Sequence, residues 1–165
     1  MKNVKEFNVK TVTYMAILIA LSFIGSLIKI QGSIAFDSMP GYFAAIILGP
    51  YLGGIVALLG HLLTAITSGF PLTIPMHIII ALEMFVFAYV FSITYKRYNP
   101  YIATGIVTIL NGPIAALIAS AISILFKLPL NGWPLFYAVV IPLTIASFLN
   151  SLIAVLIYRV IKQKL

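Results

Sequence analysis

GYFAAIILGPYLGGIVALLGHLLTAIT, the stretch from Gly41 to Thr67, decides how many times this chain crosses a membrane. A helical crossing takes about 20 apolar residues, so the stretch is too long for one ordinary span and short for two. Gly49-Pro50 divides it, and glycine followed by proline is a strong turn signal. Charge then decides. Lys2, Lys5 and Lys10 precede the first apolar run, Lys96 and Arg97 interrupt the middle, and Arg159, Lys162 and Lys164 close the chain. Lys and Arg accumulate on the cytoplasmic side of membrane proteins. One helix over 41–67 makes five spans and leaves one of these clusters outside. A turn at Gly49-Pro50 makes six, with both termini cytoplasmic and only Lys29 and Lys127 outside. The expected fold is an all-α integral membrane protein, a single membrane domain over residues 1–165, with six transmembrane helices of which the second is short.

The composition agrees. The chain is 62% apolar and 8% charged, with a mean hydropathy of +1.16, whereas soluble domains are about a quarter charged. The net charge of +7 does not point to nucleic acid, because the basic residues flank apolar runs instead of forming a face. Cysteine is absent, which excludes thiol chemistry and Cys-based metal sites. The run from Thr11 to Ile28 is long enough to span and lacks a small-residue cleavage site, so it reads as a retained helix. Lys29 to Pro40 is polar. Further spans are expected from about Ile74 to Tyr95, from Pro100 to about Phe126 with Asn99 as its cap, and from Phe136 to Tyr158. Leu128 to Pro134 reads as a loop carrying Trp133.

Small residues mark close helix approach in lipid. Gly53, Ala57, Gly60, Thr64 and Thr67 form one stripe, Gly112, Ala116, Ala119 and Ser123 a second, and Thr144, Ser147, Ser151 and Ala154 a third. Spans three, five and six are therefore expected to meet. Ala16 and Ala20 lie one turn apart on the first span.

Ionisable groups inside spans are costly and face protein or water. Three are expected at that depth: His61, His77 and Glu83. Glu83 lies about 9 Å deeper than His77 at 1.5 Å per residue and on another helix face. These groups match no zinc-hydrolase spacing, and the chain carries neither a nucleophile elbow nor a phosphate-binding loop. An enzyme is not expected, nor a metal or cofactor. A proton relay in a self-sufficient ion-coupled transporter or channel is one reading. Pro113 and Pro142 each leave a carbonyl unserved within a span, which is tolerated where the backbone lines a cavity. Asn111, beside Pro113, is a ligand candidate, and Asn150 reads as interhelical glue. Gln31, Asp37, Met39, Phe70, Asn131, Trp133 and Tyr137 gather at the outer side. Aromatics with a few polar groups suit a small planar ligand. Individually, Trp133 and Tyr137 also suit interfacial anchors, and Asp37 or Ser38 a helix cap.

The stretch from Asp37 to Gly54, with Pro-Gly-Tyr at 40–42 and Leu-Gly-Pro-x-x-Gly at 48–53, and the Ala16-x-x-x-Ala20 pair in a six-span chain resemble the substrate-binding S components of energy-coupling factor (ECF) vitamin importers. The resemblance covers the whole chain. It implies a multi-pass protein of a prokaryotic plasma membrane that captures a vitamin or precursor from outside. It also implies partners: a transmembrane T component, on which Ala16 and Ala20 would dock, and two ATPase subunits that hydrolyse ATP. The loop from about Lys29 to Met39 would close over the ligand. The stretch from Gly60 to His77 is similar to S components for α-ribazole, the nucleoside of the lower ligand of cobalamin. Riboflavin, thiamine and cobalamin are the alternative ligands. The expected cavity lies between spans four, five and six. Its expected contacts are His77, Asn111, Trp133 and Tyr137, then Phe70, Met39, Gln31 and Glu83, with Asn131 nearby and His61 holding the Phe70 loop.

Overall fold

The computed structural model describes residues 8–163; Lys2, Lys5 and Lys164 lie outside them. The described residues form seven α-helices: α1 (Val9–Ser26), α2 (Met39–Ile47), α3 (Pro50–Thr67), α4 (Ile74–Arg97), α5 (Pro100–Ile109), α6 (Ala115–Leu125) and α7 (Gly132–Lys162). A π-turn, Leu110–Ile114, joins α5 to α6. Among the described residues five helical segments are long and apolar enough to cross a membrane, α5 and α6 counting as one.

The quoted stretch breaks where the sequence breaks. Gly49 has φ 102°, a left-handed conformation that glycine adopts without strain, and Pro50 opens α3 with a φ already suited to a first helical turn. The nine residues of α2 cover only about 13 Å at 1.5 Å per residue. The rest of that path is a feature absent from the sequence reading, a β-hairpin of Lys29–Gln31 (β1) and Ile34–Ala35 (β2), followed by Phe36 to Ser38. Irregular backbone at membrane depth must be wrapped in protein; Ala35, Asp37 and Ser38 are buried, whereas β1 is exposed along its length.

Glycine and alanine set the spacing of α2 and α3. A Cβ on Gly41 would lie 2.7 Å from Ala57 Cβ, and one on Gly53 would run into the Ala45 backbone. These reciprocal contacts bring two antiparallel helices close enough for backbone-level van der Waals packing. Gly60 receives Ser22 of α1 in the same way. The stripe on α3 therefore faces α2 and α1, and α3 also packs along α4. It does not meet α6 and α7 as expected. A small-residue stripe says that some neighbour comes close, and nothing about which one. The other two stripes do meet, at Gly112 against Thr144, where a Cβ would lie 2.6 Å from the Thr144 hydroxyl.

Pro113 cannot donate to the carbonyl of Ile109. The π-turn answers this, because i→i+5 bonding gives that carbonyl the N–H of Ile114. Asn99 caps α5 as expected, accepting from Ile102 N–H at 2.9 Å. The expected loop at 128–134 is shorter, because α7 begins at Gly132 and places Trp133 on a helical turn. Asp37, outside the long apolar helices, is also buried inside the protein, 4% exposed.

Neighbouring contacts sort the charges by end. Lys96 approaches the Gly49 turn, and Arg159 donates to Tyr101 near the start of α5. Ser26 at the end of α1 meets Thr67 at the end of α3, so Lys10 at the start of α1 lies toward the Gly49 end. Lys29 sits at the opposite end, donating to Thr67 O and the Ser68 hydroxyl.

Candidate functional site

A cavity opens beneath the β-hairpin, between the start of α2, α4, the π-turn, α6 and α7. About 650 Å3 of empty space, open solvent at its mouth included, lies within its bounds. Its walls are mostly apolar: Ile80 and Met84 of α4, Ala115 and Ala119 of α6, Val139, Leu143 and Ala146 of α7, and Leu72. Polar groups enter from Ser33, Asp37, Ser38, His61, Glu83, Asn111, Ser147 and Asn150. Among the described residues no Lys or Arg lines it.

Each polar group is delivered by a local cause. The π-turn bulges where Pro113 breaks the α-helical ladder, and Asn111 sits on that bulge with its Nδ2 donating to Tyr42 Oη at 3.1 Å. Ser147 donates to Val107 O at 3.2 Å, tying α7 to α5. Asn150 is fully committed. Its Nδ2 donates to Ala35 O at 3.1 Å and to Ala146 O at 2.9 Å, and its Oδ1 accepts from Met39 N–H at 2.8 Å. One amide thereby fixes both the exit of the hairpin and the first turn of α2. Asp37 does not cap α2. Its Oδ2 accepts from the Thr64 hydroxyl at 2.6 Å and lies 3.8 Å from His61 Nδ1, and its Oδ1 accepts from Ser38 at 3.3 Å. Beyond it, His61 Nε2 and His77 Nδ1 are 3.2 Å apart. The chain Asp37–His61–His77 links the base of the hairpin to α3 and α4. Among the described residues Asp37 is the acidic group nearest this chain, 3.8 Å from His61, and at its far end His77 Nε2 is buried without a hydrogen-bond partner.

The expected contacts divide on this geometry. His61, Glu83 and Asn111 line the cavity. His77 is fully buried behind it, against His61 and the edge of Phe70. Met39 packs into the core, and only its backbone reaches Asn150. Gln31 reaches Ala138 O at 3.4 Å from the hairpin rim. Asn131 Nδ2 donates to Leu128 O at 2.6 Å, closing the turn before α7. Trp133 and Tyr137 stack on one another, 62% and 69% exposed and off the cavity wall, the geometry of interfacial anchors. Ala16 and Ala20 lie on the exposed side of α1.

Ser147, Asn150, Ser33 and Leu72 were not among the expected contacts, and Asp37, grouped at the outer side, was not ranked among them. Asp37 had a visible signal as the only aspartate of the chain, but its depth depends on the hairpin. Among the described residues no cluster of three or more His, Asp or Glu side chains could hold a metal ion.

Asn150→Ala is expected to strand Ala35 O and Met39 N–H inside protein. Leaving such groups unsatisfied costs about 1–3 kcal/mol each. The measurements are thermal unfolding in detergent and amide exchange across 29–39. A lower melting temperature with faster exchange confined to the hairpin is expected; unchanged exchange there would remove Asn150 as its tether.

A helical membrane chain with an internal, mostly apolar cavity under a hairpin defines a small-molecule-binding membrane protein. The family of ECF transporter substrate-specific components matches residues 10–162, and the chain belongs to it. Membership associates it with a small-molecule substrate, a T component and ATPases. Among curated proteins none is significantly similar in sequence.

Proposed function

We propose that this protein is an S component that captures α-ribazole outside a prokaryotic plasma membrane and delivers it to an ATP-driven importer. The observation carrying this reading is the cavity itself: apolar walls for a flat benzimidazole, a few polar groups for a ribose and, among the described residues, no Lys or Arg to hold a phosphate. The likeness of the Gly60–His77 stretch to α-ribazole S components favours that ligand over riboflavin, thiamine or cobalamin. Six crossings follow if the hairpin and α2 together make the second. The gathering of Lys96 and Arg159 with Lys10 toward the Gly49 end supports a cytoplasmic position for that end, which turns the hairpin and the cavity mouth outward. Catalysis is assigned to the partner ATPases and none to this chain. Ala16 and Ala20 offer the T component a flat strip on α1.

Titration calorimetry of the purified full chain with α-ribazole and a vitamin panel tests the reading. Binding of α-ribazole well above the other ligands is expected. Preference for another vitamin would replace the ligand and keep the class. Uptake by the protein alone in liposomes, driven by an ion gradient without partner subunits, would replace the class with a self-sufficient transporter. Trp133, exposed and off the cavity, is not expected to report binding by fluorescence.

A further inference from the structure

The cavity's hydrogen-bonding capacity is unevenly spent. Asp37 accepts from Ser38 and Thr64, and Asn150 and Ser147 are engaged with backbone groups. Glu83 is different. Its Oε1 is buried and meets no hydrogen-bond partner, and its carboxyl forms no ion pair among the described residues. It stands on α4 at the cavity wall, in a surrounding of Ile80, Met84 and Leu143. Asn111 spends its Nδ2 on Tyr42 and keeps Oδ1 unclaimed. The Glu83 carboxyl and Asn111 Oδ1 are thus acceptor groups that no protein donor serves, and among the described residues no Lys or Arg lines the cavity.

A buried acceptor without a partner costs stability, and within a membrane an ionisable side chain is a marker of function. A ligand rich in donors relieves that cost on entry. A carboxyl group presents two oxygens, which two neighbouring hydroxyls of a sugar can serve together. We propose that Glu83 is the specificity-determining contact of this cavity, accepting hydrogen bonds from hydroxyl groups of the bound ligand. This deepens the proposed function and, for the ribose of α-ribazole, rests on it. The apolar walls then hold the ring system, and Glu83 makes the site distinguish the nucleoside from its free base. Sequence spacing alone does not assign this role, because it places no partner, or lack of one, beside the carboxyl.

The test is calorimetry with three probes: α-ribazole, its free base 5,6-dimethylbenzimidazole, and α-ribazole with its 2′,3′-diol masked as the isopropylidene derivative. Each is titrated into the wild-type chain, Glu83→Gln and Glu83→Met, with thermal unfolding as the check on folding. Loss of the Glu83 hydrogen bonds to the ligand is expected to weaken α-ribazole about 10–100-fold in Glu83→Gln and at least as much in Glu83→Met. Affinity for the free base should change less than about 3-fold, and the masked diol should behave like the free base. Wild-type protein that binds base, masked diol and nucleoside equally would overturn the role of Glu83 even if neither variant folds. Tight α-ribazole binding unaltered in the variants would overturn it too, leaving the proposed ligand intact. Binding of a different hydroxylated vitamin that weakens in Glu83→Gln would overturn the ligand and support the role. No binding of any hydroxylated probe to wild type would overturn both.

Discussion

Gly53→Val should prevent the chain from accumulating as a folded, monodisperse protein. The β-carbon would run into the backbone of Ala45, and no rotamer avoids a clash that begins at Cβ. The helices would have to separate, and the reciprocal contact of Gly41 with Ala57 would open with them. In lipid this matters more than in water, because no hydrophobic effect between helices compensates for lost van der Waals packing. Overpacking of a tight core typically costs about 1–3 kcal/mol; a clash with backbone lies at or beyond the upper end. The damage would extend to the cavity, since α2 begins beside Asp37 and Asn150. Gly105→Ala is the matched control. Nothing lies within 4 Å of a Cβ there, and replacing a mid-helix glycine is expected to stabilise by about 0.5–1 kcal/mol. The measurement is size-exclusion profile and melting temperature of both variants in detergent. A well-folded Gly53→Val protein would refute the close apposition of α2 and α3.

Ala16→Trp and Ala20→Trp are expected to abolish ATP-driven uptake and to leave ligand binding unchanged. Both alanines lie on the exposed side of α1, away from the cavity. Around them Val12, Ile17, Leu21 and Ile24 also face outward, so the surface is apolar but flat. An indole there meets nothing within the chain, while in the proposed complex it would occupy the space of a partner helix. Such wedges are ruinous where small residues allow backbones to approach. The test pairs calorimetry on the isolated chain with uptake in vesicles containing the T component and both ATPases. Normal uptake would remove this face from docking. Loss of binding in the isolated chain would show that α1 acts on the cavity instead.

The site was less legible than the helices. Glu83, His61 and Asn111 were found because polar residues within apolar runs are conspicuous, and they do reach the cavity wall. Trp133, Tyr137, Phe70 and Gln31 were grouped because they share one end of the chain's topology. Sharing an end is not facing a cavity, and Trp133 and Tyr137 turn away from it. His77 was conspicuous in the same way as His61, yet its position on α4 points it at His61 and Phe70. Asn150 read as interhelical glue, and it does bond other segments; the segments are the hairpin and α2, which no helical pattern predicts.

By itself the sequence determined the membrane class, the helix limits near Gly49-Pro50 and Asn99-Pro100, and the break at Pro113, because each depends on local chemistry: apolar length, fixed φ, or a missing N–H. The tertiary structure decided what pairs with what. The α3 stripe serves α2 and α1, Asp37 is drawn to Thr64 and His61 in place of capping a helix, and Glu83 is left without a partner. In each case the deciding energy lies in contacts between residues far apart in the chain, where a small side chain or an amide is selected by the neighbour it meets.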